Sequence, residues 1–418
     1  MIAKEREMDV IIIGAGLAGL TAAKVLKAEG KLVKIIEASD AVGGRVQTDE
    51  VDGFLLDRGF QVLLTAYPET KRFLDYKALE LCKFDPGALI LNNNGITQIG
   101  DPIRQPGSLV STLLSSAGTF LDKLRMLRLK LKLARKSIDD IFSEKEFTTM
   151  AYLKNMGFSQ RIISQFFRPF MTGIFLENKL STSSRMFEFV FKMFSEGDAA
   201  IPARGMGMIS LQLAQGLSPN EIVFNETVTI IEGNQVKTSS GSTYQAAYIL
   251  IATDQLHLPA PHQQVDTSYH SVTNMYFTAG RKPFTMPLIT LNASPDRIVN
   301  NIAVMNQISP HYSANGDALI SLTLVGDHSK QNTAKLQAIV IDELQFWYPD
   351  AVNWKHLKTY HIGYALPDDD HVINEPEYKA MRLNAQCFVC GDHLMNGSIN
   401  AAMKSGRLAA EAIIKTMS

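Results

Sequence analysis

The sequence has few cysteines, no long apolar run and no excess of either charge, and each lack excludes a class of protein. Three cysteines in 418 residues cannot build a disulfide framework, which favours a reducing compartment. No run approaches the ~18 apolar residues of a membrane span. The first residues, Met-Ile-Ala-Lys-Glu-Arg-Glu, lead directly into a strand pattern and do not resemble a signal peptide. These features predict a soluble, cytoplasmic protein.

Charge and composition narrow the function further. Forty-one basic residues oppose 42 acidic ones, and the net charge is -1, so no overall field attracts nucleic acid and no nucleic-acid partner is expected. A chain that is 46% hydrophobic and 20% charged is globular rather than disordered or fibrous. No His/Cys/Asp cluster has metal-ligand spacing and no G-x-S-x-G motif is present. We therefore expect no metal, and the sequence assigns no catalytic side chain.

The first forty residues have the pattern of a βαβ unit. A run of β-branched residues, 9–13, predicts a strand buried on both faces. A helical pattern follows and stops at Gly30, and a second apolar run, 32–36, ends in Glu37. A carboxylate at this place can accept hydrogen bonds from ribose hydroxyls, with Ala38 beside it. It favours an unphosphorylated ribose and argues against NADP.

A G-x-G-x-x-G motif joins the first strand to the helix. Gly14 allows the tight turn, Gly16 lets a pyrophosphate approach the backbone, and Gly19 lets the helix pack closely on the strand. Leu17 and Ala18 begin the helix, whose free N–H groups and dipole favour an anion. The unit therefore predicts dinucleotide binding, although it does not separate NAD from FAD.

A second glycine-rich loop argues for FAD over NAD. Gly43 and Gly44 precede Arg45, and two glycines with a guanidinium suit a second approach to a dinucleotide pyrophosphate. A nicotinamide domain would normally continue with another helix and strand at this point. An NAD-dependent dehydrogenase is therefore disfavoured.

These motifs resemble those of the flavin-containing amine oxidase superfamily, which includes protoporphyrinogen oxidases and phytoene-desaturase-like enzymes. The resemblance rests on the two glycine motifs, Glu37, Gly53-Phe54-x-x-Asp57-x-Gly59, and a C-terminal strand that runs into Gly391-Asp392 and a helix. It implies an FAD cofactor and further site residues. Gly59, Phe60 and Gln61 would lie across the flavin ring, and Val228 would contact adenine through its backbone, with Ala252 ending a neighbouring strand. Gly391 and Asp392 would face the ribityl-phosphate, and Ser398, Ile399 and Asn400 would open a helix towards the flavin pyrimidine edge.

The fold expected is α/β, a Rossmann-type FAD-binding domain with a parallel sheet plus an inserted α+β substrate domain with a helical part. The FAD-binding domain is predicted to be discontinuous. Its segments are 1–83, 201–264 and 365–418. The substrate domain comprises 84–200 and 265–364, with a hairpin in 84–106, around Asn92-Asn93-Asn94-Gly95, and a mainly helical part in 107–200.

Two features of the helical part bear on the substrate. Phenylalanines and methionines crowd residues 166–208, and a few of them are expected to line an apolar, adaptable pocket. A basic, leucine-rich segment, 121–136, leaves two interpretations open: weak association with a membrane surface, or a bundle helix with a solvated basic face. The balanced overall charge favours the bundle helix.

The function predicted is an FAD-dependent oxidoreductase that accepts a hydride equivalent at flavin N5 from a small, largely apolar substrate and passes electrons to oxygen or another acceptor. Amine oxidases of the superfamily usually carry an aromatic residue where this chain has Ser398, and many carry a flavin-attaching cysteine where it has residues 392–395. These departures imply noncovalent FAD and leave C–C desaturation of a carotenoid- or porphyrinogen-like substrate as an alternative. A non-catalytic, flavin-stabilised binding protein is the second alternative.

Overall fold

The structure is a computed structural model that describes residues 8–100, 118–262 and 268–417. The remaining residues are 1–7, 101–117, 263–267 and 418. The parts of the predicted hairpin, helical segment and domain boundaries that fall on them lie outside the described residues.

The described residues contain twenty strands, which are distributed from the first to the last part of the chain. In chain order they are β1 (Val10–Ile13), β2 (Val33–Ile36), β3 (Thr48–Val51), β4 (Phe54–Asp57), β5 (Leu63–Leu64), β6 (Cys82–Lys83), β7 (Gly87–Asn92), β8 (Gly95–Gly100), β9 (Ala199–Ile201), β10 (Ile222–Val223), β11 (Val228–Glu232), β12 (Gln235–Thr238), β13 (Thr243–Gln245), β14 (Tyr248–Ile251), β15 (Tyr269–Ala279), β16 (Ile289–Asn292), β17 (Val299–Val304), β18 (Ala318–Val325), β19 (Lys355–Pro367) and β20 (Cys387–Val389).

The α-helices of the described residues concentrate between β8 and β9 and near the two chain ends. In chain order they are α1 (Leu17–Ala28), α2 (Pro68–Phe73), α3 (Phe120–Ala134), α4 (Ile138–Ser143), α5 (Thr149–Asn155), α6 (Gln160–Ile162), α7 (Arg168–Phe175), α8 (Ser184–Glu196), α9 (Gly207–Ala214), α10 (Met305–Ile308), α11 (Thr333–Leu344), α12 (Tyr378–Met381) and α13 (Ile399–Met417).

A parallel sheet combines strands from the two ends and the middle of the chain. Its order is β10-β2-β1-β14-β20, and every neighbouring pair is parallel. All four residues of β1 are buried, as expected of an apolar strand covered on both faces. The helix α1 ends where predicted, with Gly30 in the left-handed region at φ +69°. The predicted Rossmann-type sheet is therefore confirmed.

Two layers cover this sheet. The helices α1 and α13 pack together on one face, where a Cβ on Gly406 would lie only 2.1 Å from the carbonyl oxygen of Ala18. The antiparallel sheet β11-β12-β13 covers the other face through Val228 and Val236. The close helix contact brings the N-termini of α1 and α13 to the same end of the sheet, at the carboxyl ends of its strands. That end is where open α/β sheets bind ligands.

A larger mixed sheet forms the second part of the fold. Its order is β19-β15-β18-β17-β16-β7-β8, and β7 and β8 form the predicted hairpin with Asn92 opposite Gly95. The helix α11 packs on one face of this sheet through Leu336, Val340 and Leu344. The opposite face is left for the cavity described below.

The described residues 118–200 are mainly helical, as predicted, but the interpretation of the basic helix needs correction. The exposed side of α3 is not uniformly basic, because it presents Phe120 and several leucines to solvent. Two of the cations turn inward instead: Lys132 and Lys136 pair with the buried carboxylate of Glu188 at 3.0 and 2.7 Å. Pairing with a buried carboxylate satisfies these two charges, while the leucines of the opposite side remain exposed.

Candidate active site

One large cavity runs from the carboxyl ends of the parallel strands to the mixed sheet. Its volume is about 1330 Å³, larger than the ~300–1,000 Å³ of most small-molecule pockets. The predicted cofactor residues line it with two exceptions, Gly19 and Asn400. The lining residues among them are Gly14, Gly16, Leu17, Ala18, Glu37, Ala38, Gly43, Gly44, Arg45, Gly59, Phe60, Gln61, Val228, Ala252, Gly391, Asp392, Ser398 and Ile399.

The N-terminus of α1 forms one wall of the cavity. Gly16 precedes the helix, and no side chain of the described residues caps this end. A Cβ built on Gly16 would meet nothing within 4 Å, so the backbone faces open space. The first N–H groups of a helix have no partner within the helix. Such groups are suited to an anion, and anion binding by this helix stays a prediction.

Gly19 and Asn400 do not line the cavity and instead make contacts within the protein interior. A Cβ on Gly19 would lie 2.1 Å from the carbonyl oxygen of Gly14, which agrees with the predicted role of Gly19 in close helix–strand packing. The side-chain oxygen of Asn400 accepts a hydrogen bond from the backbone N–H of Glu69 at 3.1 Å. This contact joins α13 to α2 and turns the Asn400 side chain away from the cavity.

The second glycine loop lies against the first. The N–H of Gly43 donates to the carbonyl oxygen of Ala15 at 2.8 Å, and a Cβ on Gly44 would lie 3.4 Å from the Cα of Gly16. Gly44 has a φ of +58°, a conformation that favours glycine. The two glycine loops, which the sequence analysis assigned to the same dinucleotide, therefore form a single backbone cradle.

Glu37 stands beside this cradle and is held by donors that sequence reasoning missed. Its Oε2 accepts the N–H of Ala15 at 2.6 Å, and its Oε1 accepts the N–H and the hydroxyl of Ser39 at 2.9 and 2.7 Å. The residue is only 8% exposed. Each carboxylate oxygen has two lone pairs, so Oε2 retains capacity for a further donor such as a ribose hydroxyl.

Arg45, which is partly buried, and Asp392, which is buried, form an ion pair in the cavity wall. Arg45 Nη2 lies 2.7 Å from both carboxylate oxygens of Asp392, and Nη1 donates to the carbonyl oxygen of Ala365 at 2.9 Å. Burial acts to lower the pKa of Arg45, but the negative charge of Asp392 outweighs it and raises the pKa above its ordinary value. The two residues were assigned separately from the sequence, and the structure brings them into direct contact.

Gln61 supplies an unsatisfied polar atom in the segment predicted to cross the flavin ring. Its Nε2 donates to the carbonyl oxygen of Arg45 at 2.9 Å, while its buried Oε1 has no partner among the described residues. A buried acceptor without a donor is costly. A donor on a bound molecule would satisfy it, and this observation fits the implied flavin.

The N-terminus of α13 approaches the cavity and has an unexpected neighbour. Ser398 caps the helix by accepting the N–H of Ala401 at 3.0 Å. The preceding N–H, of Gly397, donates to Oδ2 of Asp369 at 2.8 Å. Burial raises the pKa of Asp369 to about 7 despite this hydrogen bond, and the negative charge of Asp392 adds to the rise. No motif in the sequence pointed to Asp369.

The far end of the cavity is apolar and aromatic. Phe166, Phe170, Phe191 and Phe194 line it, and Phe166 stacks on Phe170 with ring centroids 5.4 Å apart. The other aromatic side chains of the crowded region lie in the core instead; these are Phe167, Phe175, Phe187 and Phe189. The aromatic residues thus divide between the core and the cavity wall, a division that spacing alone did not reveal.

Few polar groups face this aromatic end. Asn301 and Thr323 on the mixed sheet line the cavity and hydrogen-bond to each other at 3.0 Å. Among the described residues no group of His, Cys, Asp or Glu is arranged to hold a metal ion. None of the helices in the described ranges is both long and apolar enough to cross a bilayer.

Known proteins resemble this chain in sequence and in fold. The flavin containing amine oxidoreductase family matches residues 17–414. Putrescine oxidase from Kocuria rosea is 43% identical over 74 residues, which are 18% of this chain and 16% of that protein. The mitochondrial protoporphyrinogen oxidase of Nicotiana tabacum is 25% identical over 164 residues, 39% of this chain and 32% of that protein. These matches therefore span less than a third of either curated relative.

The fold agrees with a solved structure over the full chain. Cyclohexylamine oxidase from Brevibacterium oxydans IH-35A superposes with a TM-score of 0.73, covering 99% of this chain and 100% of that one at 15% identity. At this identity the likeness shows the fold alone. The family match over most of the chain confirms the resemblance seen in the glycine motifs. The chain belongs to the flavin containing amine oxidoreductase family.

Proposed function

We propose that this protein oxidises a small, largely apolar organic molecule, from which a hydride equivalent passes to flavin N5. The observation that carries the proposal is the continuity of the cavity, which joins a backbone cradle for a dinucleotide to a chamber walled by four phenylalanines. Its volume of about 1330 Å³ leaves room for a second molecule beside a cofactor. A chamber lined mainly by aromatic groups favours an apolar substrate.

The residues present fit FAD at the cradle. The N-terminus of α1 would bind the pyrophosphate, Glu37 the ribose, and Gln61 Oε1 would accept a hydrogen bond from the flavin ring. The N-terminus of α13 would place its dipole at the pyrimidine edge, where it stabilises negative charge. FAD, when bound, supplies the redox chemistry, accepting the hydride equivalent and passing electrons to oxygen or another acceptor.

The chain's own contribution is to position the substrate and exclude water. Phe166, Phe170 and Phe194 pack against one another, with Phe170 and Phe194 centroids 5.2 Å apart. Such a wall holds an apolar molecule in a near-attack geometry without a charged anchor. Asn301 and Thr323 are the polar pair that would orient it.

The bond oxidised distinguishes two candidate substrates. An apolar amine would be oxidised at a C–N bond, and a carotenoid- or porphyrinogen-like molecule at a C–C bond. Ser398 in place of an aromatic residue and the aromatic chamber support the second candidate. The test is anaerobic mixing of the FAD-loaded protein with apolar amines, a polyene and a porphyrinogen, while the absorbance of oxidised flavin is recorded.

One class of compound should reduce the flavin, and Phe170→Glu should slow that reduction because it puts a charge in the chamber. Reduction by dithionite, which needs no chamber, should be unchanged. Phe147→Glu is the matched control, because Phe147 is 39% exposed and does not line the cavity. If dithionite alone reduces the flavin, the protein is instead a flavin-stabilised binding protein. If Phe147→Glu slows reduction as much, the chamber is not the substrate site.

A further inference from the structure

The helix α3 carries an exposed apolar ridge. Five large apolar side chains of this helix are between 41% and 65% exposed to solvent. They are Phe120, Leu121, Leu124, Leu127 and Leu131. Phe120, Leu124, Leu127 and Leu131 follow one another at three or four residues, which puts them in one row on a helix with 3.6 residues per turn, and Leu121 lies at the edge of this side. Single exposed apolar residues are ordinary, whereas a contiguous ridge marks an interaction surface.

Cations border the ridge on both sides. At 100° per residue, Arg128 and Arg135 fall on one flank of the row formed by Phe120, Leu124, Leu127 and Leu131, with Leu121 beyond them, and Lys123 and Lys130 fall on the other flank. The acidic residue of the helix, Asp122, faces the opposite way, where it is buried and accepts a hydrogen bond from the Ser159 hydroxyl at 2.6 Å. The outward face of α3 therefore combines an apolar centre with basic borders.

The inward side of the same helix is fixed to the protein. Leu129 and Leu133 are fully buried in the main core, and Thr119 caps the helix with a capping box to Asp122. These contacts hold the orientation of the helix, so the ridge is not exposed by loose packing. A firmly held amphipathic helix with leucines outward has the character of an interfacial helix.

The ridge also lies at the cavity. Phe120, Leu124 and Leu127 line the cavity and are exposed to solvent as well. Lys123 and Lys130 line it from the same helix. If an apolar surface covers the ridge, an apolar molecule that leaves that surface would therefore reach the cavity wall without passing through water.

We propose that α3 docks on an anionic membrane surface, with the ridge at the level of the acyl chains and its basic borders on the lipid headgroups. Charge selects this occupant over a second copy of the chain. Two copies paired through the ridge would bring their arginine and lysine borders together, which is repulsive. Anionic headgroups complement the same borders. The protein as a whole carries a net charge of -1. The attraction to anionic headgroups therefore comes from the cations of this face and not from the overall charge.

Docking itself does not depend on the proposed function, whereas the delivery of an apolar substrate to the cavity rests on it. The two can fail separately. Vesicle binding is measured without substrate, and flavin reduction is measured with dissolved substrate. A protein that reduces its flavin but ignores vesicles would overturn only the docking proposal.

The experiment is flotation of the FAD-loaded protein with vesicles made of equal parts phosphatidylcholine and phosphatidylglycerol, against vesicles of phosphatidylcholine alone. The protein should float with the anionic vesicles and much less with the neutral ones, and high salt should weaken binding. Leu121→Glu/Leu131→Glu should lower the bound fraction at least about tenfold, because two leucines that would enter the membrane are lost and two like charges face the headgroups.

The matched control is Leu211→Glu/Leu383→Glu. Leu211 is 53% and Leu383 41% exposed, close to the 52% of Leu131, and both double variants change the net charge equally. The control should bind as the unaltered protein does. None of these four leucines lines the cavity, so FAD content and thermal unfolding report that each variant is folded. Leu124→Trp should show fluorescence quenching by brominated acyl chains.

Three outcomes would overturn the proposal. The unaltered protein fails to float with anionic vesicles, or both double variants lose binding equally, or neither loses it. A concentration-dependent dimer in the absence of vesicles, abolished by Leu121→Glu/Leu131→Glu, would assign the ridge to a second copy and would also overturn membrane docking.

Discussion

Asp369 is a residue whose environment decides its charge. Its carboxylate is 8% exposed, accepts the N–H of Gly397 and has the acidic residues Asp368, Asp370 and Asp392 as neighbours. Burial and the neighbouring negative charges oppose ionisation, and the pKa rises to about 7. The group therefore changes charge near neutral pH, directly at the start of α13.

This shift predicts how stability varies with pH. In the folded protein Asp369 keeps a proton that the unfolded chain loses near pH 4. Its contribution to the free energy of unfolding is fully present below about pH 4 and is lost as the pH rises through about 7. Asp369→Asn should remove this fall and leave the folded protein more stable at pH 8, by on the order of 1 kcal/mol or more.

Urea unfolding of the FAD-loaded protein at several pH values between 4 and 8 measures the effect. Asp296→Asn is the control, because Asp296 is exposed and lies away from α13. The prediction fails if the two variants have parallel stability–pH curves, or if Asp369→Asn steepens the decline.

Residues far apart in sequence explain why part of the site could not be predicted. Glu37, Arg45 and Asp392 were found individually because motifs mark them. The pairing of Arg45 with Asp392 joins residues 347 positions apart, and periodicity says nothing about such contacts. Asp369 had no signal beyond a run of three aspartates, which equally describes a solvated loop.

At the level of the element, two glycines at the start of α1 have different tasks: Gly16 precedes the helix and Gly19 lies in its first turn. A Cβ on Gly16 would project into open space, whereas a Cβ on Gly19 would collide with Gly14 at 2.1 Å. Gly16 has a φ of -71°, which any residue tolerates. Alanine at position 16 therefore leaves the fold intact and obstructs only what binds in the cradle.

Gly16→Ala and Gly19→Ala should consequently fail in different ways. Gly16→Ala should unfold at the temperature of the unaltered apoprotein but bind FAD at least about tenfold more weakly, because its methyl group holds the anion away from the helix N-terminus. Gly19→Ala should destabilise the apoprotein itself by roughly 1–3 kcal/mol, the usual effect of overpacking.

Thermal unfolding of the apoproteins and titration with FAD separate the two effects. Each variant serves as the control for the other, since both add one methyl group to the same helix. Equal loss of apoprotein stability in both, or unchanged FAD affinity in Gly16→Ala, would contradict the assignment of Gly16 to the cradle.

The aromatic chamber depends on a local irregularity that sequence patterns do not predict. A π-helical turn, Ile163–Phe167, joins α6 to α7. The wider turn changes the angular spacing of side chains, and here Phe166 and Phe170 face the cavity while Phe167 is buried in the core. Regular helical spacing could predict an aromatic-rich helix, but not the division of its faces.

Over the whole molecule, the cavity draws on both ends of the chain. The cradle comes from residues 14–18 and 43–45, and the wall that adjoins it through the Arg45–Asp392 pair comes from residues 391–399. The sequence indicated this assembly because each segment carries its own motif. The substrate side was less predictable, since its polar pair and aromatic wall belong to a mixed sheet and a helical segment without motifs. A ligand in the cradle would link the two chain ends, so its binding should stabilise the entire fold.

The last prediction concerns how firmly that ligand is attached. We expect noncovalent FAD, because no cysteine lies between Asp392 and Asn400 and the nearest thiols are unreactive. Burial raises the pKa of Cys387 to about 12 and that of Cys390 further, and a thiol without thiolate character is a poor nucleophile. Acid precipitation should release all flavin into the supernatant, where it can be identified as FAD.

Reversible binding has a second consequence that a covalent cofactor would not show. The thermal midpoint should rise with the concentration of free FAD, and at 100 times the dissociation constant the folded state should gain about 2.7 kcal/mol. Flavin retained on the acid-denatured chain, or a midpoint indifferent to added FAD in partly loaded protein, would contradict the prediction. Peptide mapping would then locate the attachment, and Cys390 and His393, which flank the Gly391-Asp392 turn, are the side chains it should examine first.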